Sequence, residues 1–163
     1  MQARMPNPAL VVPDALPALQ AVGKALYVAA KSAELPPQLL HLVYLRASQI
    51  NGCSVCVEMH ARDAKKAGAT DERLFAIAAW REAPYFSDAE RAALALTEAL
   101  TRIADQSDPV SDELWNELRA HYDEQALAAL ILAIANINVW NRLNVATRQV
   151  AGEWIKSQAA ASR

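Results

Sequence analysis

The sequence predicts an all-α protein, a single domain of about seven helices. Glycine is scarce, at 4 of 163 residues, while alanine and leucine abound. Alanine and leucine lose little side-chain freedom in a helix, whereas each interior glycine costs about 1 kcal/mol. Prolines, an Asn–Gly pair and capping residues also punctuate the chain at helix-length intervals. Finally, 53% of the residues are apolar and 21% charged, enough to bury a core and outside the range of disordered chains.

Asp14 can cap a first helix that runs to about Lys31. Glu34-Leu35-Pro36-Pro37 breaks it and opens a second, with prolines in the first turn, where a missing N–H costs nothing; this helix runs to about Gln49. Asn51–Gly52 interrupts the pattern just before Cys53. A third helix is expected from about Cys53 to Ala67, stopped by Gly68. Thr70 can cap a short fourth through Trp80. Ser87 and Glu90 have capping-box spacing and open a fifth through about Ile103. Ser111 opens a sixth, and a seventh runs from about Asp123 to beyond Trp154, leaving Ser157 to Arg163 as a frayed tail.

No repeat, low-complexity tract or linker divides residues 1–163. A redox core over about 36–85 and a C-terminal helical part over about 87–156 are read as one domain. The last helix is apolar on most sides between Ala126 and Val139, which predicts burial between partners and motivates an expectation of homo-oligomers.

The formal net charge of −2, with basic residues scattered, excludes the basic stripe that nucleic-acid binding needs; Lys65–Lys66 reads as a solvated helix face. The longest apolar run, Ala126 to Ala135, is about half of what a bilayer-spanning helix requires, so no membrane partner is expected. No uninterrupted apolar segment follows Arg4, which predicts a cytoplasmic protein. In that compartment, two cysteines three apart point to redox chemistry or metal binding rather than a structural staple.

Cys53 and Cys56 are the centre of the reading. At about 100° per residue, Cys53, Cys56 and His60 share one helix face, with the cysteines in the first turn. Unpaired N–H groups and the helix dipole stabilise a thiolate there. His60 can take the thiol proton, completing an activated nucleophile with its base. The bland alternative is two buried structural cysteines beside a histidine. His41 lies twelve residues before Cys53, and the Asn51–Gly52 turn can fold it back as a proton relay. It can equally be a half-buried histidine bonded to backbone. Glu58 points away from the thiols. Asn138, Asn141 and Arg142 form a polar stripe in an apolar helix, read as structural, with a role for Arg142 near the thiols as the alternative.

Cys53, Cys56, His60 and His41 together have the ligand count of a structural zinc site. Zinc ligands usually come from loops or hairpins as well as helices, and no second cysteine pair is present. Neither a metal nor a cofactor is therefore expected.

The stretch Leu42-Val43-Tyr44-Leu45-Arg46-Ala47-Ser48-Gln49-Ile50-Asn51-Gly52-Cys53, with Cys56, Met59-His60 and Ala64, resembles the AhpD-like branch of the carboxymuconolactone decarboxylase-like family. The resemblance resumes at Ala79-Trp80-Arg81-Glu82, at Glu90-Arg91-Ala92-Ala93-Leu94 and at Ile137-Asn138-Val139-Trp140-Asn141-Arg142-Leu143. It implies an AhpD-like helical fold, assembly as trimers or hexamers, and antioxidant peroxidase or disulfide-reductase activity. On the family pattern Cys56 attacks a hydroperoxide, Cys53 resolves the sulfenic acid, and a dithiol donor, in known members a lipoyl group on a partner protein, regenerates the pair. Physical reasoning alone favours Cys53 as attacker, being nearer the helix end and expected to be the more exposed.

Two departures stand out. The family's relay glutamate is His41 here, and Val55 stands where some members carry a histidine. Rival readings are a redox sensor or structural oligomer with a reversible disulfide, and a lactone decarboxylase, whose activity would survive replacement of both cysteines.

Overall fold

A computed structural model of the chain describes residues 2–153. Eight α-helices are present among them: α1 (Pro8–Val11), α2 (Ala15–Ser32), α3 (Pro37–Ile50), α4 (Ser54–Lys66), α5 (Asp71–Ala76), α6 (Asp88–Thr101), α7 (Asp112–His121) and α8 (Glu124–Thr147). Short 3-10 turns at Ile77–Ala79 and Ile103–Asp105 extend α5 and follow α6, and no strand occurs among the described residues.

The capping chemistry explains most boundaries. Ser87 and Glu90 form the reciprocal capping box that opens α6. Ser111 accepts from the Leu114 N–H, and Asp123 from the Ala126 N–H, to begin α7 and α8. Gly68, at φ 97°, ends α4 in a conformation that side chains resist. Four expectations are corrected. A short helix, α1, precedes Asp14: Asn7 caps it by accepting from the Ala9 N–H at 2.9 Å, with Pro8 in its first turn. Asp14 does stand at the start of α2, but at φ 62° and without a side-chain cap bond. Thr70 likewise precedes α5 without a side-chain cap bond.

The fourth correction concerns α8, expected to continue past Trp154. It ends at Thr147, with Arg148 left-handed at φ 54°. The N-terminal segment supplies the reason. The Arg4 backbone N–H donates to the Thr147 carbonyl at 2.9 Å, taking an acceptor that another helical turn would use. Gln149 Nε2 donates to the Met5 carbonyl at 2.9 Å and fastens the two segments together. Trp154 and the tail from Ser157 lie outside the described residues.

The central element is α3, apolar on both faces. Leu39, Leu40 and Val43 enter a core with Leu96, Leu118, Leu130 and Ile134 from α6, α7 and α8. Leu42 and Leu45 enter a second with Ile77, Trp80, Phe86 and Leu94. A buried polar clamp ties the second core together. Glu98 accepts from Arg46 Nε at 2.7 Å, from Trp80 Nε1 at 3.0 Å and from Arg81 Nη1 at 2.6 Å. Burial on its own pushes the Glu98 carboxyl up, but the bonds from Arg81, Trp80 and Arg46 outweigh it and hold the group below its ordinary value.

By length and composition α8 is long and apolar enough to cross a membrane, which the apolar run alone did not suggest. Half of its most apolar stretch is buried inside the protein. It also carries Asn138 and Asn141 into hydrogen-bonded interior positions. Those are the properties of a core helix.

Candidate functional site

The turn between α3 and α4 positions the cysteines. Gly52 takes φ 67° there. The preceding Asn51 is held from above, its Nδ2 donating to Asn138 Oδ1 at 2.9 Å and to Asn141 Oδ1 at 2.8 Å. Asn141 in turn donates to Ser48 Oγ at 3.1 Å. The polar stripe of α8 thus serves structure, clamping the turn that presents the thiols. Arg142 is exposed and donates to the Asn138 carbonyl, so it has no place in the site.

Cys53 is the N-cap of α4, and its Sγ accepts from the Cys56 backbone N–H at 3.4 Å. The two cysteines are joined as a disulfide, with Cα atoms 5.3 Å apart. Cys53 is 2% exposed and borders a surface depression while Cys56 is fully buried, so Cys53 is the more exposed, as the sequence suggested, though by a small margin.

A residue that sequence reasoning passed over completes the first contacts. Asn144 Nδ2 donates to Cys56 Sγ at 3.3 Å. Its amide cannot be turned around without loss, because Asn7 Nδ2 donates to Asn144 Oδ1 at 2.7 Å. Asn7 is itself committed through the cap of α1. The signal was present in the sequence: Asn144 continues the one-turn spacing of Asn138 and Asn141.

His60 lies one turn beyond Cys56 on α4 and is 8% exposed. His41, on α3, faces it with ring centroids 6.3 Å apart, and Tyr44 packs 4.9 Å from the His60 ring. Burial, then the neighbouring His41, lowers His60 to about 4, against an opposing pull from Asp63. Burial also lowers His41, again opposed by Asp63. Both imidazoles are therefore neutral at pH 7, the state of a base. His41 Nδ1 and both His60 nitrogens have no hydrogen-bond partner among the described residues, so a backbone bond does not occupy His41 Nδ1. Glu58 pairs with Arg62 on the surface, away from the thiols.

Two depressions flank this group. One, of about 440 Å³, is strongly apolar and is lined by His41 and His60 together with Tyr27, Leu40, Tyr44, Met59, Ile137 and Trp140. The other, of about 580 Å³, is lined by Gly52, Cys53, Ser54, Asn144, Arg148 and Gln149. Asn144 lines both. The first is of the size that takes small organic ligands.

Residues 13–99, from the start of α2 through most of α6, match the sequence profile of the carboxymuconolactone decarboxylase family. The chain belongs to this family. Within it, the chain is AhpD-like. A crystal structure from Agrobacterium tumefaciens, of a protein of unknown function offered as a candidate antioxidant defence protein AhpD, superposes with a TM-score of 0.82. That comparison covers 92% of this chain and 98% of the other at 33% identity. Two uncharacterized proteins are also similar. YdfG of Bacillus subtilis is 45% identical over 105 residues, which is 64% of this chain and 70% of its own length. YnjA of Escherichia coli is 37% identical over 117 residues, 71% of this chain and 62% of its own. The debrominase Bmp8 shares the fold at 23% identity and a TM-score of 0.73, covering 85% of this chain and 72% of the other.

Proposed function

We propose that this family member is a thiol-dependent peroxidase that reduces organic hydroperoxides by cycling the Cys53–Cys56 disulfide. The observation that carries the reading is the fixed Asn144 amide, aimed at the sulfur of one cysteine of a pair that opens a helix. A thiolate is the species that gains most from such a donor, since hydrogen bonds to ionised groups are the stronger ones. A merely structural disulfide has no use for it.

In the reduced protein, Cys56 gives its proton to neutral His60, and the Asn144 amide and the start of α4 hold the thiolate. The sulfur attacks the distal oxygen of ROOH. The S–O bond forms as the O–O bond breaks, and RO⁻ takes a proton to leave as ROH. Cys53, as thiolate, then attacks the sulfenic sulfur; the S–S bond forms, and hydroxide departs as water with a second proton. His41, facing His60, relays protons between the buried ring and the outside. A dithiol donor returns two electrons by attacking Cys53, the cysteine that borders the second depression, with Cys56 leaving as the thiolate Asn144 stabilises. A lipoyl group on a partner protein fits this role.

The apolar, aromatic-lined cavity beside His60 favours bulky hydroperoxides over hydrogen peroxide. A cytoplasmic setting and assembly as trimers or hexamers go with the same reading. Exposed Val22, Tyr27 and Val28 on α2 and Leu132 and Val139 on α8 offer apolar surface for assembly.

Turnover of cumene hydroperoxide to its alcohol with dihydrolipoamide as donor tests the proposal. Activity that disappears in both Cys53→Ser and Cys56→Ser supports it. Stoichiometric oxidation without turnover under any dithiol favours the redox-sensor reading, and activity retained in both variants removes the thiols from the mechanism.

A further inference from the structure

Three side chains near the thiols are arranged for a task that peroxide reduction does not require. His41 on α3, and His60 and Asp63 on α4, each offer a ligand atom, and these atoms all lie within 4.8 Å of one another. His60 and Asp63 stand one helical turn apart, so both project to the same side of α4, toward α3, which packs closely against it. His60 is buried with neither ring nitrogen hydrogen-bonded, and His41 Nδ1 is likewise without a partner. The buried His60 ring with neither nitrogen bonded, and the buried Nδ1 of the half-buried His41, lose stability unless something else occupies these nitrogens.

We propose that His41, His60 and Asp63 form a site for a divalent transition metal of the zinc type, and that its occupancy withdraws His60 from the thiol chemistry. The donor set selects the class. Two imidazoles and one carboxylate suit zinc, iron and cobalt, whereas magnesium and calcium take all-oxygen sets. Three protein ligands leave a fourth position, and the cavity that His41 and His60 line gives a water or small anion access to it. Ligand atoms around a tetrahedral zinc stand closer together than 4.8 Å, so the α3 and α4 side chains close slightly on the ion.

The opposing charge is weak. Asp63 Oδ1 is paired with Lys66 Nζ at 3.0 Å, but the lysine side chain is 72% exposed and swings away at little cost. Asp63 has no part in the thiol chemistry, so its use here is separate. Neither cysteine belongs to the set, and this site differs from the cysteine–histidine arrangement considered from sequence.

The second half of the proposal rests on the peroxidase reading; the first does not. The test therefore starts with tag-free protein in the oxidised form, where the disulfide leaves no thiol to bind metal. Titration with Co²⁺ and Zn²⁺, followed by calorimetry and by the cobalt ligand-field spectrum, should show one ion per chain. His41→Ala and Asp63→Asn should each weaken binding at least about tenfold, on the scale by which even supporting residues tune metal sites. His121→Ala, far along the chain on exposed α7, should bind as the wild type does. Asp63→Asn alters a partly exposed residue, so it keeps the test valid should His41→Ala fold poorly. Absence of binding, or binding indifferent to Asp63→Asn, overturns the site. In the second stage zinc should slow peroxide-driven disulfide formation in wild type and not in Asp63→Asn. Equal slowing in both, or none in a wild type shown to bind zinc, overturns the withdrawal of His60 without touching the thiol mechanism.

Discussion

Replacing Asn144 by alanine removes the donor to Cys56 Sγ while leaving both cysteines, His60 and the α4 N-terminus in place. A hydrogen bond to a charged group is worth about 1.5–3 kcal/mol. At about 1.4 kcal/mol per pH unit, losing it moves the ionisation midpoint of Cys56 upward by roughly one to two units. The assay is the pH dependence of iodoacetamide alkylation in a Cys53→Ser background, where a single thiol reports. At pH values below both midpoints the alkylation rate should fall about ten- to a hundredfold. Asn7→Ala keeps the Asn144 amide but frees it to rotate, so its midpoint should rise by less. An unchanged midpoint in Asn144→Ala, with the fold intact by circular dichroism, would refute the assignment of this amide to the thiolate.

Other outcomes follow from the same structure. His60 is buried with its titration lowered from 6.5 to about 4. The unfolded chain therefore takes up that proton first, and stability falls as pH drops through this window, by about 3 kcal/mol once both states are protonated. Urea unfolding from pH 7 to pH 4 should show this slope, and His60→Gln should flatten it. Glu98→Gln takes the counter-charge from the largely buried Arg46 guanidinium and should cost about 3 kcal/mol in the same assay. Because the Glu98 carboxyl is held low, its contribution is present above the ordinary carboxylate range and is lost as pH falls below it. Gly52→Ala should cost about 1–2 kcal/mol, from the positive φ alone, since nothing lies within 4 Å of the added methyl.

Local signals in the sequence announced most of the fold. The capping box at Ser87, the prolines opening α3 and the glycines bounding α4 are short-range chemistry, and those helices begin and end where such chemistry puts them. What escaped depends on distant partners. The end of α8 is decided by Arg4 and Met5 reaching across from the opposite end of the chain, and no pattern near Thr147 encodes that. At the site, the spacing of Cys53, Cys56 and His60 on one helix was readable because helical rotation is fixed. The approach of His41 to His60 was read only as an option of the intervening turn, and the structure adds the distance. Asn144 and Asp63 went unnoticed for opposite reasons. Asn144 acts across elements, 88 residues from Cys56, and Asp63 looks like any charge on a solvated helix until α3 brings His41 beside it.

The central claim is that Cys56 is the sulfur that meets peroxide and Cys53 the one that resolves it. Intact mass of the reduced, metal-free protein after one equivalent of cumene hydroperoxide tests it most directly, with the two single cysteine-to-serine variants alongside. The wild type should lose two hydrogens rapidly, and Cys53→Ser should accumulate a sulfenic acid that dimedone traps at Cys56. Thiols that stay reduced for hours, or a sulfenic acid that forms rapidly only in Cys56→Ser, would contradict it.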